Sequence, residues 1–287
     1  MSCTFSIIIP TYNRAEMLPA AIESVFLQSY KEWQLIIVDN GSTDNTNSVV
    51  NSYEDDRIIY VYSQMKGRSH ARNIGIEKAD GEWLCFLDSD DIYDPEHLMT
   101  FYHAIKFYPE FHCFKTGVKF LNTKGKVIFK STFHSPPTSF DSFVARNYVS
   151  ILDIAVRTSA VGTIRFAEVE NWEDAHFLLQ LYAKVTPYQI SAHTVIAMEH
   201  EQRSINKAIV KYEEVNGTLR LMKEYLPSTN LTIKDQKHIQ ENFVSSLIVN
   251  GFQSGMGLTT VVKHLSNIDH QNKVYYILKS VYYRLKY

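Results

Sequence analysis

Apolar positions in the first hundred residues fall into two alternating periods. Phe5–Pro10 ("FSIIIP"), Gln34–Asp39 ("QLIIVD"), Ile58–Tyr62 and Trp83–Leu87 are short, nearly continuous apolar runs, as expected of strands buried on both faces. Between them the spacing lengthens to that of a helix. Glu16–Leu27 places Leu18, Ala21, Ile22, Val25 and Phe26 on one side, and Ser42 or Thr43 can cap a helix to about Tyr53. Gly67–Ala79 is helical up to the glycine of "ADG". Strand and helix in alternation predict a parallel, doubly wound sheet with right-handed crossovers. Ligands bind such sheets beyond the carboxyl ends of the strands. Pro10–Tyr12, Asp39–Asn40 and Asp88–Asp91 each follow a strand end, so they are expected to converge on one crevice.

Beyond Pro95 the pattern loosens. Pro95–Tyr108 suits a helix and His112–Phe120 a strand, while Lys124–Val149 is rich in turns ("NTKGK", "HSPPTS"). Trp172–Lys184 is an amphipathic helix with Phe177, Leu178, Leu181 and Tyr182 on its apolar face. From about Ser204 the chain reads as all-helical, broken at "LPSTN" and "NGFQSGMG". The expected organisation is therefore a catalytic-sized α/β domain over 1–204, with halves 1–110 and 111–204, and a helical appendage over 205–287. The last helix, "HQNKVYYILKSVYYRLKY", carries Lys273, Lys279, Arg284 and Lys286 without an acid. It suits docking on the domain, which its tyrosines favour, pairing with a second subunit in an oligomer, or peripheral contact with an anionic membrane.

Composition narrows the function classes. The 287 residues are 45% hydrophobic and 21% charged, the balance of an ordinary globular protein. A formal net charge of −2 gives no basic field for nucleic acid. Cys3, Cys85 and Cys113 have no metal-type spacing, and the latter two lie in apolar segments as reduced core thiols. The opening "MSCTFSIIIP" lacks a basic start, and no apolar run approaches the roughly 18–20 residues of a membrane span. A cytoplasmic enzyme is expected.

The chemistry concentrates in "EWLCFLDSDDIYDP", where a buried strand runs into Asp88, Asp90, Asp91 and Asp94. Carboxylates this close raise one another's pKa unless a cation or donor network compensates. Asp88 and Asp90, two residues apart, point to the same side of an extended backbone. Oxygen ligands of this kind suit Mg²⁺ or Mn²⁺, which bridge protein carboxylates and substrate phosphates. A solvated turn with helix-capping aspartates is the alternative, and it is the expectation for Asp91 and Asp94.

"SIIIPTYNR" (Ser6–Arg14), "VDNGSTDNT" (Val38–Thr46), "GRSHARNIGI" (Gly67–Ile76) and "DGEWLCFLDSDD" (Asp80–Asp91) follow one another in that order. Together they resemble the nucleotide-sugar-dependent glycosyltransferases of the GT-A fold, specifically glycosyltransferase family 2. The resemblance is strong over Ser6–Tyr108 and extends weakly to about Ser204. It implies an α/β, Rossmann-like, mostly parallel sheet flanked by helices. By this resemblance Pro10 and Tyr12 form the edge that receives the base, with Tyr12 stacking on it or merely packing at a strand end. Asp39 matches the carboxylate that hydrogen-bonds the base. Arg72, in "ARN", either pairs with a phosphate or base edge or is a solvated helix residue. Asp88, Ser89 and Asp90 match the DxD motif, Asp88 on the ribose and metal side and Asp90 as direct metal ligand.

"NWEDAHFLL" matches the family's ED motif, which implies Asp174 as general base with Glu173 beside it. The alternative is two acids favoured at a helix N-terminus by its dipole. His200, in "MEHEQRSIN", matches a third metal ligand or diphosphate contact, and imidazole suits Mn²⁺ better than Mg²⁺. His70, His103, His176 and His193 are read as surface or packing residues. The resemblance implies inverting transfer from a nucleoside diphosphate sugar, most readily a UDP-sugar, to a glycan or lipid-linked glycan hydroxyl. A nucleotidyltransferase is the competing enzyme class, but "PTYNRAE" lacks the glycine-rich basic loop expected after its first strand. A non-catalytic nucleotide-sugar or glycan-binding module is the third reading.

Overall fold

The computed structural model describes residues 4–131, 133, 150–168 and 173–200, which lie in one compact unit of the chain. The expected helical appendage, with its C-terminal basic helix, and most of the turn-rich segment before Val149 lie outside the described residues.

Four strands build the first half: β1 (Phe5–Thr11), β2 (Trp33–Asp39), β3 (Ile58–Tyr62) and β4 (Trp83–Phe86). Their order is β3-β2-β1-β4, all parallel. Helices α1 (Leu18–Phe26), α2 (Thr46–Asn51) and α3 (Arg68–Lys78) link them as expected. β1 is buried at every residue, the position its unbroken apolar run requires. One boundary differs from the reading of the sequence. Helix α2 starts at Thr46, because Ser42 and Thr43 are engaged elsewhere. Asn13, at φ 50°, donates its backbone N–H to Ser42 Oγ and accepts the Thr43 N–H on its side chain, both at 2.8 Å.

The sheet continues as β4-β8-β6-β9-β5, with β8 (Ile154–Arg157), β6 (Cys113–Leu121), β9 (Tyr188–Met198) and β5 (Asp91–Tyr93); β7 (Val127–Lys130) pairs with β6. Here β4–β8, β8–β6, β9–β5 and β6–β7 are antiparallel, while β6–β9 is parallel. The α/β class stands, but parallel pairing is concentrated in the first half, where βαβ crossovers enforce it. Three more helices flank this half: α4 (His97–Phe107), the short α5 (Thr158–Val161) and α6 (Glu173–Tyr182). Cys85 and Cys113 are buried free thiols, as expected.

The crevice arises from unequal strand lengths. β4 stops at Phe86, level with Ile8, whereas β1 and β2 run on together to Thr11 and Asp39. Ile8 accepts the Leu87 N–H on the β4 side. Pro10, two residues further, turns the same way, so its missing N–H faces a place where β4 has already ended. The notch lies where the chain reverses from β3 back across β1 to β4, the switch point at which such sheets bind ligands.

Close packing beneath the notch depends on Gly81, just before β4. A Cβ there would lie 2.7 Å from the backbone nitrogen of Ser6, and Gly81 donates its own N–H to Ser6 Oγ at 2.8 Å. Gly81→Ala is expected to cost about 1–3 kcal/mol through overpacking. Urea unfolding measures this, and a midpoint equal to the parent's would refute the close approach.

Candidate active site

Arg72 is the centre of the site. It projects from α3 and is buried, though its guanidinium carries a charge. One terminal nitrogen donates to Asp88 Oδ1 at 2.8 Å; the other donates to Glu173 Oε1 at 2.9 Å and Asp174 Oδ1 at 3.0 Å. Asp88 follows β4, whereas Glu173 and Asp174 open α6, so one side chain ties the DSD segment to the ED segment. Phe166 lies under the guanidinium at 5.3 Å, a cation–π contact on one face, while Nε is buried without a hydrogen-bond partner among the described residues. Of the two alternatives drawn from the sequence, the solvated one is excluded. In this ligand-free arrangement Arg72 contacts carboxylates.

The two acids of α6 differ in surroundings. Glu173 is nearly closed off, with 3% of its side chain exposed, and is gripped by Arg68 as well as Arg72. Asp174 leaves 26% of its side chain open. Its pKa is raised to about 7, first by lost hydration; Arg72 and Arg68 oppose the rise, and Glu173 and Asp88 add to it. Arg72 itself is held in its charged form, because the three carboxylates outweigh the cost of burial.

Beside this cluster, Asp88, Asp90 and Asp91 each offer a carboxylate oxygen within 4.8 Å of the others. Ser89 between them is buried. His200 Nε2 lies 2.8 Å from Asp90 Oδ2, and an Arg14 nitrogen lies 3.7 Å from the same oxygen. Two hard carboxylates with an adjoining imidazole form a donor set that fits Mn²⁺, or Mg²⁺ through the oxygens alone. Asp91 departs from the solvated turn expected of it. It is buried, and its Oδ1 accepts the Met198 N–H at 3.2 Å, which joins β5 to β9. Asp94 does not cap α4 as expected: its Oδ1 accepts the N–H of Glu96, the residue before the helix, at 3.2 Å, in a turn ahead of the first helical donors.

On the other wall, Asp39 is buried and both its oxygens are engaged. Oδ1 accepts the Ser42 N–H at 2.8 Å and Oδ2 accepts the Tyr60 hydroxyl at 2.7 Å. Burial and this bond push the Tyr60 phenol up to about 12. Tyr12 stands 43% exposed at the rim, with the Lys66 ammonium 5.6 Å from its ring centre. Buried Thr11 Oγ1 and Asn40 Oδ1 have no hydrogen-bond partner among the described residues.

The structure therefore brings Arg72, Asp88, Glu173 and Asp174 into one ion-pair cluster, and Asp90 and His200 into direct contact. Pro10, Tyr12 and Asp39 line the strand ends without touching that cluster. Arg68, Arg14 and Lys66 were not singled out by sequence reasoning. Arg68 and Arg72 are four residues apart on one helix, and two like charges stacked at that spacing call for a shared anion.

Comparison with known proteins identifies the family and the fold. A family model described as Glycosyl transferase family 2 matches residues 6–148. The chain is 31% identical over 221 residues to a putative teichuronic acid biosynthesis glycosyltransferase, TuaG, of Bacillus subtilis, covering 75% of this chain and 80% of that protein. It is 42% identical over 89 residues to an Escherichia coli protein named UDP-Glc:alpha-D-GlcNAc-diphosphoundecaprenol beta-1,3-glucosyltransferase, WfgD, covering 31% of this chain and 35% of that one. Other relatives are longer: the chain spans 20% of an uncharacterized Rickettsia felis glycosyltransferase to which it is 38% identical over 43% of its own length. Among solved structures, Staphylococcus aureus TarS 1-349 in complex with UDP-GlcNAc superimposes with a TM-score of 0.77 at 20% identity, over 98% of this chain and 89% of that one.

Glu173 and Asp174 should respond oppositely to neutralisation. A carboxyl whose native pKa is raised binds its proton more tightly when folded. Asp174 therefore costs stability progressively as pH rises from about 4 to about 7. Asp174→Asn is expected to leave stability unchanged or higher at and above neutral pH. Glu173→Gln strips a buried partner from two arginines and is expected to cost about 3–5 kcal/mol. Urea unfolding at several pH values separates the two, and equal losses would contradict the assignment.

Proposed function

The chain belongs to glycosyl transferase family 2, and from that membership we propose that it is an inverting, divalent-metal-dependent transferase. It moves a sugar from a UDP-sugar to a hydroxyl of a glycan or lipid-linked glycan in surface polysaccharide synthesis. The UDP donor is supported by the likeness to TarS and by the name of WfgD. The lipid-linked acceptor is supported by the name of WfgD, and the polysaccharide pathway by that of TuaG. Such an acceptor sets the work at the inner face of a membrane. No helix among the described residues is long and apolar enough to cross one.

One observation carries the reading: Arg72 joins the donor-side Asp88 to the acceptor-side Asp174 within a single cluster. In the proposed reaction Pro10, Tyr12 and Asp39 receive the base, and Ser89 with Asp88 borders the ribose. Asp90, Asp88 and His200 would hold Mn²⁺ or Mg²⁺, which when bound neutralises charge on the diphosphate leaving group. Asp174 takes the proton of the acceptor hydroxyl as that oxygen attacks the sugar's anomeric carbon and the bond to the diphosphate breaks. A single displacement of this kind inverts the anomeric centre and needs no carboxylate nucleophile, unlike retaining chemistry. Glu173, locked between Arg68 and Arg72, holds the arginine that also binds Asp174 and so orients that base. Arg72 acts through these carboxylates, a change from the direct nucleotide contact expected of it.

The base must be ionised to work, so kcat/KM is expected to rise with pH through about 7, the pKa of Asp174. Asp174→Asn should lower kcat by about 10²–10⁴-fold, the usual contribution of a general base, and flatten that rise. Donor binding, read as thermal stabilisation by UDP with Mn²⁺, should persist in this variant and disappear in Asp90→Ala. Transfer by Asp174→Asn at the parent's rate would refute the base, and undiminished Mn²⁺-dependent stabilisation in Asp90→Ala would refute the metal site.

A further inference from the structure

The β6–β7 hairpin carries a surface that the catalytic reading leaves unused. Thr123–Lys130 is exposed throughout, including three consecutive apolar side chains: Val127 at 41%, Ile128 at 54% and Phe129 at 46%. The same region is strongly basic. Residues 111–140 hold Lys115, Lys119, Lys124, Lys126 and Lys130 and not one aspartate or glutamate, in a chain whose net charge is −2. Lys115 is neutralised by Asp153 at 2.6 Å. Among the described residues the other four lysines have no carboxylate partner.

One feature calls for an anion from outside and a second for an apolar surface. Lys119 stands directly opposite Lys130 in the β6–β7 register, a like-charge pair that destabilises a hairpin in water. Lysines on an edge strand do discourage strand-to-strand aggregation. Phe129 packs edge-on against Phe120 at 5.5 Å, but edge protection does not account for Val127 and Ile128, which an edge protected in this way would replace with polar residues. A soluble polyanion would likewise leave the apolar residues in water. A surface that is anionic above and apolar beneath satisfies both sets.

The hairpin also lies at the active-site end of the sheet. β6 runs in the direction of β4, since each is antiparallel to β8. Its last residue, Leu121, pairs with Met198 and accepts the Glu199 N–H at 2.8 Å. The next residue, His200, reaches Asp90. A partner seated on the hairpin therefore meets the protein at the edge where the acidic crevice opens.

We propose that the β6–β7 hairpin is a membrane-docking element: Lys119, Lys124, Lys126 and Lys130 engage anionic lipid headgroups, and Val127 and Ile128 enter the boundary beneath them. Its usefulness, delivering a lipid-linked acceptor to the crevice, rests on the function proposed above; the docking itself does not.

Cosedimentation of the full chain with vesicles tests it. The parent is expected to bind vesicles of phosphatidylglycerol and phosphatidylcholine at least about tenfold more tightly than pure phosphatidylcholine, with binding that weakens as salt rises. Lys124→Glu with Lys126→Glu should weaken binding by about tenfold or more, and Val127→Ser with Ile128→Ser by about fivefold. Both double variants should keep the parent's melting temperature and its stabilisation by UDP with Mn²⁺, which shows that the fold is intact. A parent that ignores anionic vesicles, or variants that bind as the parent does, would overturn the proposal. Loss in the lysine variant alone would also overturn it, in favour of a soluble polyanion. Failure of UDP with Mn²⁺ to stabilise the parent would strike the donor reading and leave the vesicle result standing.

Discussion

A buried guanidinium bonded to three carboxylates is the constraint on which the site depends. Taking an ion out of water costs several kcal/mol even after the protein relaxes. Arg72 is tolerable because carboxylates reach it from both walls, Asp88 and Asp174 at the crevice and Glu173 closed off beside it. These partners come from the loop after β4 and the first turn of α6, so forming the ion-pair cluster fixes the separation between them. A lysine would not substitute: its point charge lacks the planar fork that bonds two walls of a cleft at once. Arg68 extends the arrangement by holding Glu173 from its other side, and that leaves Asp174 as the acid with an opening to the crevice.

The sheet supplies the rigid frame for that cluster. Because β4 ends early beside two longer strands, Asp88 and Asp90 emerge below the rim on which Tyr12 stands. The rim itself is pinned, since Asn13 bonds to Ser42 and Thr43 across the gap between the loops after β1 and β2. These side-chain to backbone bonds explain why the segments "PTYNR" and "NGSTDNT" are rich in short polar residues. Each loop satisfies the other's backbone, so neither has to become regular structure to be ordered.

The first half of the fold was legible because each of its elements carries a local signal. Buried parallel strands read as unbroken apolar runs, and the proline and aspartates at their ends read as exits from the sheet. The fate of Arg72 was not legible: its partner Glu173 is 101 residues away, and no periodicity reports a contact between α3 and α6. Asp91 looked like a member of a solvated turn because its burial depends on β9, which arrives more than a hundred residues later. The antiparallel half was obscured for a similar reason. Strands β6 and β8 pair antiparallel, and β9 joins β6 only after α5 and α6 have intervened, so no regular strand–helix alternation announces their order. Arg68 was within reach of sequence reasoning, since its four-residue spacing from Arg72 is visible on the page.

Charge balance links these parts to the chemistry. Asp88, Asp90, Asp91, Glu173 and Asp174 gather against the guanidiniums of Arg72, Arg68 and Arg14. Among the described residues, five carboxylates against three guanidiniums leave a negative excess, and the raised pKa of Asp174 is partly the nearby Glu173 and Asp88 felt at one group. A diphosphate approaching alone would be repelled by the acids beside Asp90. Approaching together with a divalent cation, it would meet a site of the opposite sign, in a partly dehydrated cleft where Coulomb forces exceed those in water. The acidity of the crevice is therefore itself an argument that a nucleotide enters with a metal, and it follows from where three loops end and not from any single motif.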